Sequence, residues 1–165
     1  MKRMICLLLS GVLLLVCCGC ARKTPVQQDG IVFYYPNAQL TFQPGSSIYG
    51  SEVRSLATPD NWAQVLNIYF LGPEGEHLTS PFPSGLTVKK TIMTKDTIYI
   101  TVSDHLTELS GLDMTIACSC LTLTAMALSG VERVVINAEN ALLDGQKKIS
   151  MDKNNLLLSE DWQEE

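Results

Sequence analysis

The chain has 165 residues, 46% of them hydrophobic, and carries 12 Lys and Arg against 17 Asp and Glu, for a formal charge of −5 at pH 7. This length is enough for one domain with a hydrophobic core. The acidic balance argues against a protein that binds nucleic acid or that relies on charge to bind anionic headgroups, since both targets select basic surfaces.

The first twenty residues have the layout of an export signal. Lys2 and Arg3 form a positive amino-terminal region, and a mostly apolar run follows at residues 5–16. This run is too short for a helix that crosses a bilayer, which needs about 20 residues. The sequence therefore predicts a cleaved signal peptide at residues 1–19.

The cleavage site is predicted between Gly19 and Cys20. Signal peptidases accept small residues just before the cut, and Gly19 meets that requirement. The run LVCCGC at residues 15–20 resembles the lipobox of bacterial lipoproteins, in which the cysteine after the Gly receives a diacylglycerol. The resemblance implies that Cys20 is the lipid-attachment site and the first residue of the mature chain. An unprocessed anchor is the alternative.

Removing the signal leaves 10 basic residues against 17 acidic ones, a formal charge of −7. Lipid rather than electrostatic attraction would then hold the protein at the membrane, and a cysteine with two or three acyl chains anchors firmly. Residues 20–30 are interpreted as the lipidated cysteine and a flexible polar tether, which contains Pro25 and Gly30.

The predicted elements are, in chain order, a strand at 31–35, a helix at 59–71, strands at 86–93 and 97–102, a helix at 112–128 and a strand at 131–139. Residues 37–52 contain only short extended pieces around a turn at Pro44-Gly45. After Asn140 the signal for regular structure is weak, and the chain ends in the acidic tail SEDWQEE.

Capping residues and periodicity support the first helix. Thr58 can cap its start, and Pro59 suits the first helical position. The residues expected on its buried face repeat at i, i+3, i+4 and i+7: Trp62, Val65, Leu66 and Tyr69. Gly72 followed by Pro73 ends the pattern, as is typical of a helix carboxyl terminus.

Residues 112–128 carry conflicting signals. Several β-branched residues, Thr115 and Ile116 among them, favour a strand. Ser110 with Asp113 three residues later resembles a capping box, and Gly130 is a typical helix stop. Length and caps favour the helix.

Helices separated by strands in the order β-α-β-β-α-β indicate an α+β domain: a small mixed β-sheet with two helices packed on one face. No Gly-rich turn connects a strand to a helix, which excludes the dinucleotide-binding and P-loop classes.

Cys118 and Cys120 are the cysteines of the folded part. Two residues apart, they are badly placed for a disulfide on a helix or a strand. A zinc or redox site is the alternative, but only His77 and His105 exist to complete it. The favoured interpretation is two buried apolar thiols.

Three stretches resemble the GerMN domain family: FLGPEGEHLTSPFPSGLTV at 70–88, TIYITVSDHL at 97–106 and ALSGVERVVINAEN at 127–140. The resemblance covers residues 31–140, the expected domain, and leaves 141–165 as a C-terminal extension with the acidic tail. It implies an extracytoplasmic domain of Gram-positive bacteria, often on lipoproteins of sporulation and spore germination, with a fold similar to ring-building-motif domains. Other family members lie beside sensor kinases or cell-wall amidases.

The sequence predicts no catalytic, metal or cofactor site. Neighbouring residues of an extended chain point to opposite faces, so the Ser-Asp-His run at 103–105 is not expected to form a relay. Glu74, Glu76 and His77 are metal-ligand types, but in a Gly/Pro loop they are expected to face solvent. We therefore predict that the protein is not an enzyme and that its one covalent group is the acyl modification at Cys20.

Two classes of function follow. The first is a lipid-anchored interaction or scaffold module, with other envelope proteins or further copies of itself as partners and no nucleic acid. The second is a binder of a small ligand or cell-wall fragment through the loop at 72–85, or a partner of a sensor kinase or cell-wall enzyme. A pocket lined by Tyr69, His77 and Phe82 would favour the second class, and a flat apolar patch or open strand edge the first.

Overall fold

A computed structural model describes residues 30–40 and 46–157. Its elements are the strands β1 (Ile31–Pro36), β2 (Tyr49–Arg54), β3 (Val88–Met93), β4 (Thr97–Val102), β5 (Arg133–Ala138) and β6 (Ile149–Asp152), and the helices α1 (Trp62–Tyr69) and α2 (Gly111–Ser129). A 3₁₀-helix at Asp104–Glu108 precedes α2. The predicted cleavage and lipidation site at Gly19 and Cys20 lies outside the described residues.

The strands form two small sheets. β3, β4, β5 and β6 lie in that order in a four-stranded sheet, in which β4 and β5 are parallel and the two outer pairs are antiparallel. β1 and β2 form a separate antiparallel pair. The predicted α+β class is confirmed, as is the hairpin of β3 and β4. The sequence did not predict β2 or β6, and it assigned to one sheet the strands that the structure divides between two.

Helix α1 begins later than the capping pattern predicted. Asn61 is its N-cap, and the Asn61 side chain accepts a hydrogen bond of 3.2 Å from the Gln64 amide. Thr58 Oγ1 instead lies 2.9 Å from the Gln64 side-chain oxygen. The prediction that Thr58 caps the helix was wrong, because a second and stronger capping residue follows it three positions later.

Helix α2 confirms the helical interpretation of residues 112–128. It ends at Gly130, which has a left-handed φ of 67° and donates a 2.8 Å hydrogen bond to the Met126 carbonyl. Ser110 occupies the N-cap position, but its side chain makes no capping hydrogen bond. The helix packs against β1 on one side and against β5 and β6 on the other, which explains why it is apolar nearly all round.

Among the described residues, α2 is also the one helix that is long and apolar enough to cross a membrane. Most of its side chains between Met114 and Ala125 are buried inside the domain. This packing is that of a core helix in a water-exposed domain.

A cluster of aromatic side chains joins β1 to α1. The Tyr35 hydroxyl donates a 2.7 Å hydrogen bond to the Tyr69 carbonyl, and the Tyr69 hydroxyl donates to the Tyr34 carbonyl. The rings of Tyr69 and its neighbours have centroid distances between 4.8 and 5.8 Å. Both hydroxyls are therefore satisfied although the rings are buried, and burial raises the pKa of Tyr69 well above its ordinary value.

Candidate functional site

Ser103 and His105 are in contact, which the extended-chain argument did not anticipate. Ser103 is still extended, with φ −64° and ψ 160°, and side chains at i and i+2 of an extended chain lie on the same side, so the two meet where the chain leaves β4. The Ser103 hydroxyl lies 3.2 Å from His105 Nδ1 and accepts a 3.1 Å hydrogen bond from the Thr87 amide. Ser103 is only 6% exposed. Its hydroxyl therefore ties the strand end to the segment before β3.

Asp104 points away from this pair. Its carboxylate accepts hydrogen bonds from the Asn140 amide at 2.8 Å and from the Asn140 side chain at 3.3 Å. Asp104 therefore fixes the chain after β5 and does not orient the His105 ring. The three residues do not form the relay of a serine hydrolase, which needs a carboxylate on the second imidazole nitrogen.

The loop after α1 is fastened to β2 by an ion pair. Glu52 Oε2 accepts hydrogen bonds of 3.1 Å from the amides of both Glu74 and Gly75. Arg54 donates to the Glu52 carboxylate and, at 2.6 Å, to the Gly72 carbonyl. This pair sits largely out of solvent and fastens the loop to β2.

The side chains of Glu74, Glu76 and His77 are exposed, as predicted. Within residues 30–40 and 46–157, no three His, Cys, Asp or Glu side chains converge in an arrangement that could hold a metal ion.

Cys118 and Cys120 are free and buried in α2, which confirms the interpretation as apolar thiols. Burial raises the pKa of Cys118 to about 12 and raises the pKa of Cys120 further. Neither thiol is therefore a nucleophile at neutral pH, because reactivity requires the thiolate.

A cleft of about 300 Å³ lies between the end of β1, the loop at residues 79–83 and the start of α2. Its walls are mainly apolar and include Pro36, Phe82, Leu109 and Ile116. Asp113 contributes the one carboxylate among the lining residues. The shape is that of a small recess at the surface, which we call the Phe82 cleft.

The ligand pocket considered from the sequence is formed only in part. Phe82 lines the cleft, but Tyr69 is fully buried in the aromatic cluster and His77 lies elsewhere in the loop. The cleft also offers few polar groups. A sugar ligand needs several donors and acceptors in its site, so this recess does not suit a cell-wall glycan.

Among the described residues, one face of the four-stranded sheet is exposed over β3 and β4. Ile92 of β3 and Tyr99 of β4 are register partners on this face, at 47% and 40% exposure, whereas Val135, the partner of Tyr99 in β5, is buried. Met93 is exposed too, but it pairs with buried Ile98 and belongs to the opposite face. We call the surface with Ile92 and Tyr99 the open sheet face. Alternation along the strands places the core residues on the other side.

Comparison with known proteins identifies the domain. The profile of the family Germane, described as sporulation and spore germination, matches residues 32–144. The tandem GerMN domains of the sporulation protein GerM from Bacillus subtilis are similar in fold, with a TM-score of 0.53 and 14% identity over 72% of this chain and 43% of that chain. The present chain thus spans less than half of the length of that structure.

A candidate lipoprotein from Clostridium perfringens aligns with a TM-score of 0.49 and 14% identity, over 77% of this chain and 90% of that chain. A search of curated proteins gives no significant match. The family profile covers both the β1–β2 pair and the first three strands of the larger sheet. The chain belongs to the Germane family of sporulation and spore germination proteins and contains a domain of the GerMN type.

Proposed function

We propose that this protein is a lipoprotein of the Gram-positive cell envelope, anchored at Cys20 on the extracytoplasmic face, whose GerMN domain acts as a non-enzymatic interaction or scaffold module in sporulation or spore germination. The open sheet face carries this proposal, because it presents apolar side chains that the fold itself does not use. Membership of the Germane family supports the process.

The sequence before the domain supports the anchor. A charged start, an apolar run and the LVCCGC motif precede a polar segment that ends at Gly30, directly before β1. A tether of ten residues after Cys20 could hold the domain up to about 33 Å from the membrane when fully extended. The acidic charge of the mature chain leaves the acyl chains as the attachment.

The open sheet face is a better contact surface than the free edge of β3. Lys89 and Lys90 lie on this edge strand, and the register shifts between Val88 and Lys90. Charged residues and bulges at an edge oppose the pairing of further strands. Exposed Ile92 and Tyr99 on the flat face have no such protection, and aromatic residues are enriched at protein interfaces.

The geometry around Ser103 supports a role without catalysis. Its hydroxyl is buried and accepts a hydrogen bond from the Thr87 amide, so it is not presented to a substrate. The neighbouring Asp104 carboxylate binds Asn140. A nucleophile needs an accessible position, which the buried Ser103 hydroxyl lacks.

The anchor is tested by replacing the modified thiol in the native host. Cys20→Ser should abolish acylation, so the protein should leave the membrane fraction or remain as the uncleaved precursor. Cys18→Ser, two residues away, is the matched control and should leave both processing and fractionation unchanged. Unaltered mass and membrane attachment of Cys20→Ser would contradict the proposal.

The interaction surface is tested by photo-crosslinking in intact cells during sporulation. A photoreactive amino acid at position 92 or 99 should give one or more discrete crosslinked species, identified by mass spectrometry. The same amino acid at position 64, where Gln64 is exposed on α1 and not on the sheet, should give none. Equal products from all three positions, or none from 92 and 99, would contradict the assignment of this face.

A further inference from the structure

The Phe82 cleft has the features of a docking recess. Phe82 and Ile116 in its walls are 8% and 4% exposed, so this part of the wall is packed in place before any ligand binds. Leu40 in the lining is 38% exposed. Leu112, 48% exposed, precedes Ile116 by four residues on the same face of α2. An apolar side chain inserted into this recess would be buried against both its wall and the exposed leucines at its rim.

The charge at the cleft is negative. Asp113 is exposed and is the one charged side chain among the described lining residues. No Lys or Arg is among the described lining residues. The carboxylate of Asp113 is in the first turn of α2. A cationic partner is therefore complementary to this rim, and an anionic one is repelled.

We infer that the Phe82 cleft binds a short basic segment of a partner protein, which inserts an aliphatic side chain beside Phe82 and places a Lys or Arg against Asp113. The volume of about 300 Å³ is at the small end of ligand sites and fits one or two side chains. The site is separate from the open sheet face and does not depend on the lipid anchor.

Binding can be measured with the full chain in nanodiscs of neutral phosphatidylcholine, which give a basic peptide no anionic lipid to bind. The probe is a fluorescein-labelled peptide of sequence Gly-Arg-Leu-Leu-Arg-Gly, followed by fluorescence anisotropy. It should bind saturably, and more weakly as salt rises. Two matched peptides should not bind at the same concentration: one with Glu in place of both Arg, and one with Ser in place of both Leu.

Variants of the rim locate the binding. Asp113→Asn should weaken binding of the Arg peptide about two- to fivefold, as expected for one exposed charge pair. Glu132→Gln removes the same charge elsewhere on the surface and should change binding little. Leu112→Ser should weaken binding about fivefold, whereas Leu142→Ser, equally exposed but remote, should not.

These residues are on the surface, so the variants should melt with the wild type, which circular dichroism checks. No anisotropy change up to millimolar peptide would overturn the inference. Equal binding of the Arg and Glu peptides to the wild-type protein would overturn it as well, and this comparison does not depend on the folding of any variant. Equal weakening by the rim variants and their remote controls would also overturn it.

Discussion

The two faces of the four-stranded sheet differ in exposure along β4. Along β4, Ile98 and Ile100 are 1% and 0% exposed, and Tyr99 between them is 40% exposed. The helices cover the first face and leave the second open. One strand therefore supplies both the hydrophobic core and the proposed contact surface, one residue apart.

This difference means that stability and interaction should be separable by mutation. Buried aliphatic groups lose both hydration free energy and packing when they are truncated, whereas exposed ones lose little of either. Variants on the covered side should thus change the free energy of unfolding, and variants on the open side should change binding.

The largest effect is expected from Ile100→Ala. The side chain is fully buried under the helices, and its truncation should lower the free energy of unfolding by about 2–5 kcal/mol. Urea denaturation of the wild type and variant measures this difference. A loss of less than about 1 kcal/mol would place Ile100 outside the core and reverse the assignment of the two faces.

The second effect is a loss of stability at high pH, caused by the buried thiol of Cys118. The pKa of Cys118 is raised from 9.0 to about 12 by burial. Between these values the unfolded chain releases a proton that the folded chain keeps, so stability is fully present below pH 9 and falls as pH rises towards 12. The slope is at most about 1.4 kcal/mol per pH unit for each such thiol.

Replacing both thiols isolates their share of this alkaline loss. Cys118→Ala with Cys120→Ala should lower stability at pH 7 but give a shallower decline above pH 9, since the buried tyrosines then account for the rest. Urea midpoints across this pH range provide the measurement. If the urea midpoints of the wild type and the double variant fell in parallel with pH, the thiols would not be shielded from solvent in the folded protein.

A smaller effect is expected at the end of α2. Gly130 has a φ of 67°, so Gly130→Val should cost about 1–2 kcal/mol or somewhat more for a β-branched residue. Nothing lies within 4 Å of a Cβ added there, so backbone conformation rather than a clash is tested. Gly130→Asn, which tolerates this conformation better, is the control. Identical melting curves for all three proteins would contradict the left-handed cap.

The smallest effect on stability is expected on the open sheet face. Tyr99→Thr keeps a β-prone residue in β4 and should change the free energy of unfolding by no more than about 0.5 kcal/mol. It should nevertheless reduce the crosslinking obtained from position 92. A strongly destabilised variant would show that the open face is part of the core after all.

Elements with a strong local signal could be predicted from the sequence. β4 alternates apolar and polar residues and was found at the predicted residues, and α2 has a glycine stop that the structure uses. β2 and β6 could not be predicted in this way. Gly50 and Ser51 weaken the strand pattern of β2, and β6 has only four residues. Both are stabilised by long-range pairing, which a local pattern does not contain.

The candidate sites show the same limit. The burial of Cys118 and the exposure of His77 followed from composition and loop chemistry. The Phe82 cleft did not, because it brings together the end of β1, the residues around Phe82 and the start of α2, which are distant in the chain. The contact between Ser103 and His105 joins residues two apart, which the alternation of an extended chain brings to one side, whereas the prediction rested on adjacent residues alone. The modification at Cys20 stays a prediction.

The burial of the Cys118 and Cys120 thiols in α2 has a practical consequence. Because Cys118 and Cys120 are both free, the described domain folds without forming a disulfide between them, in reducing and in oxidising surroundings. A maleimide could reach these thiols only when α2 separates from the sheets. The rate of alkylation would therefore report how often the whole domain opens in living cells.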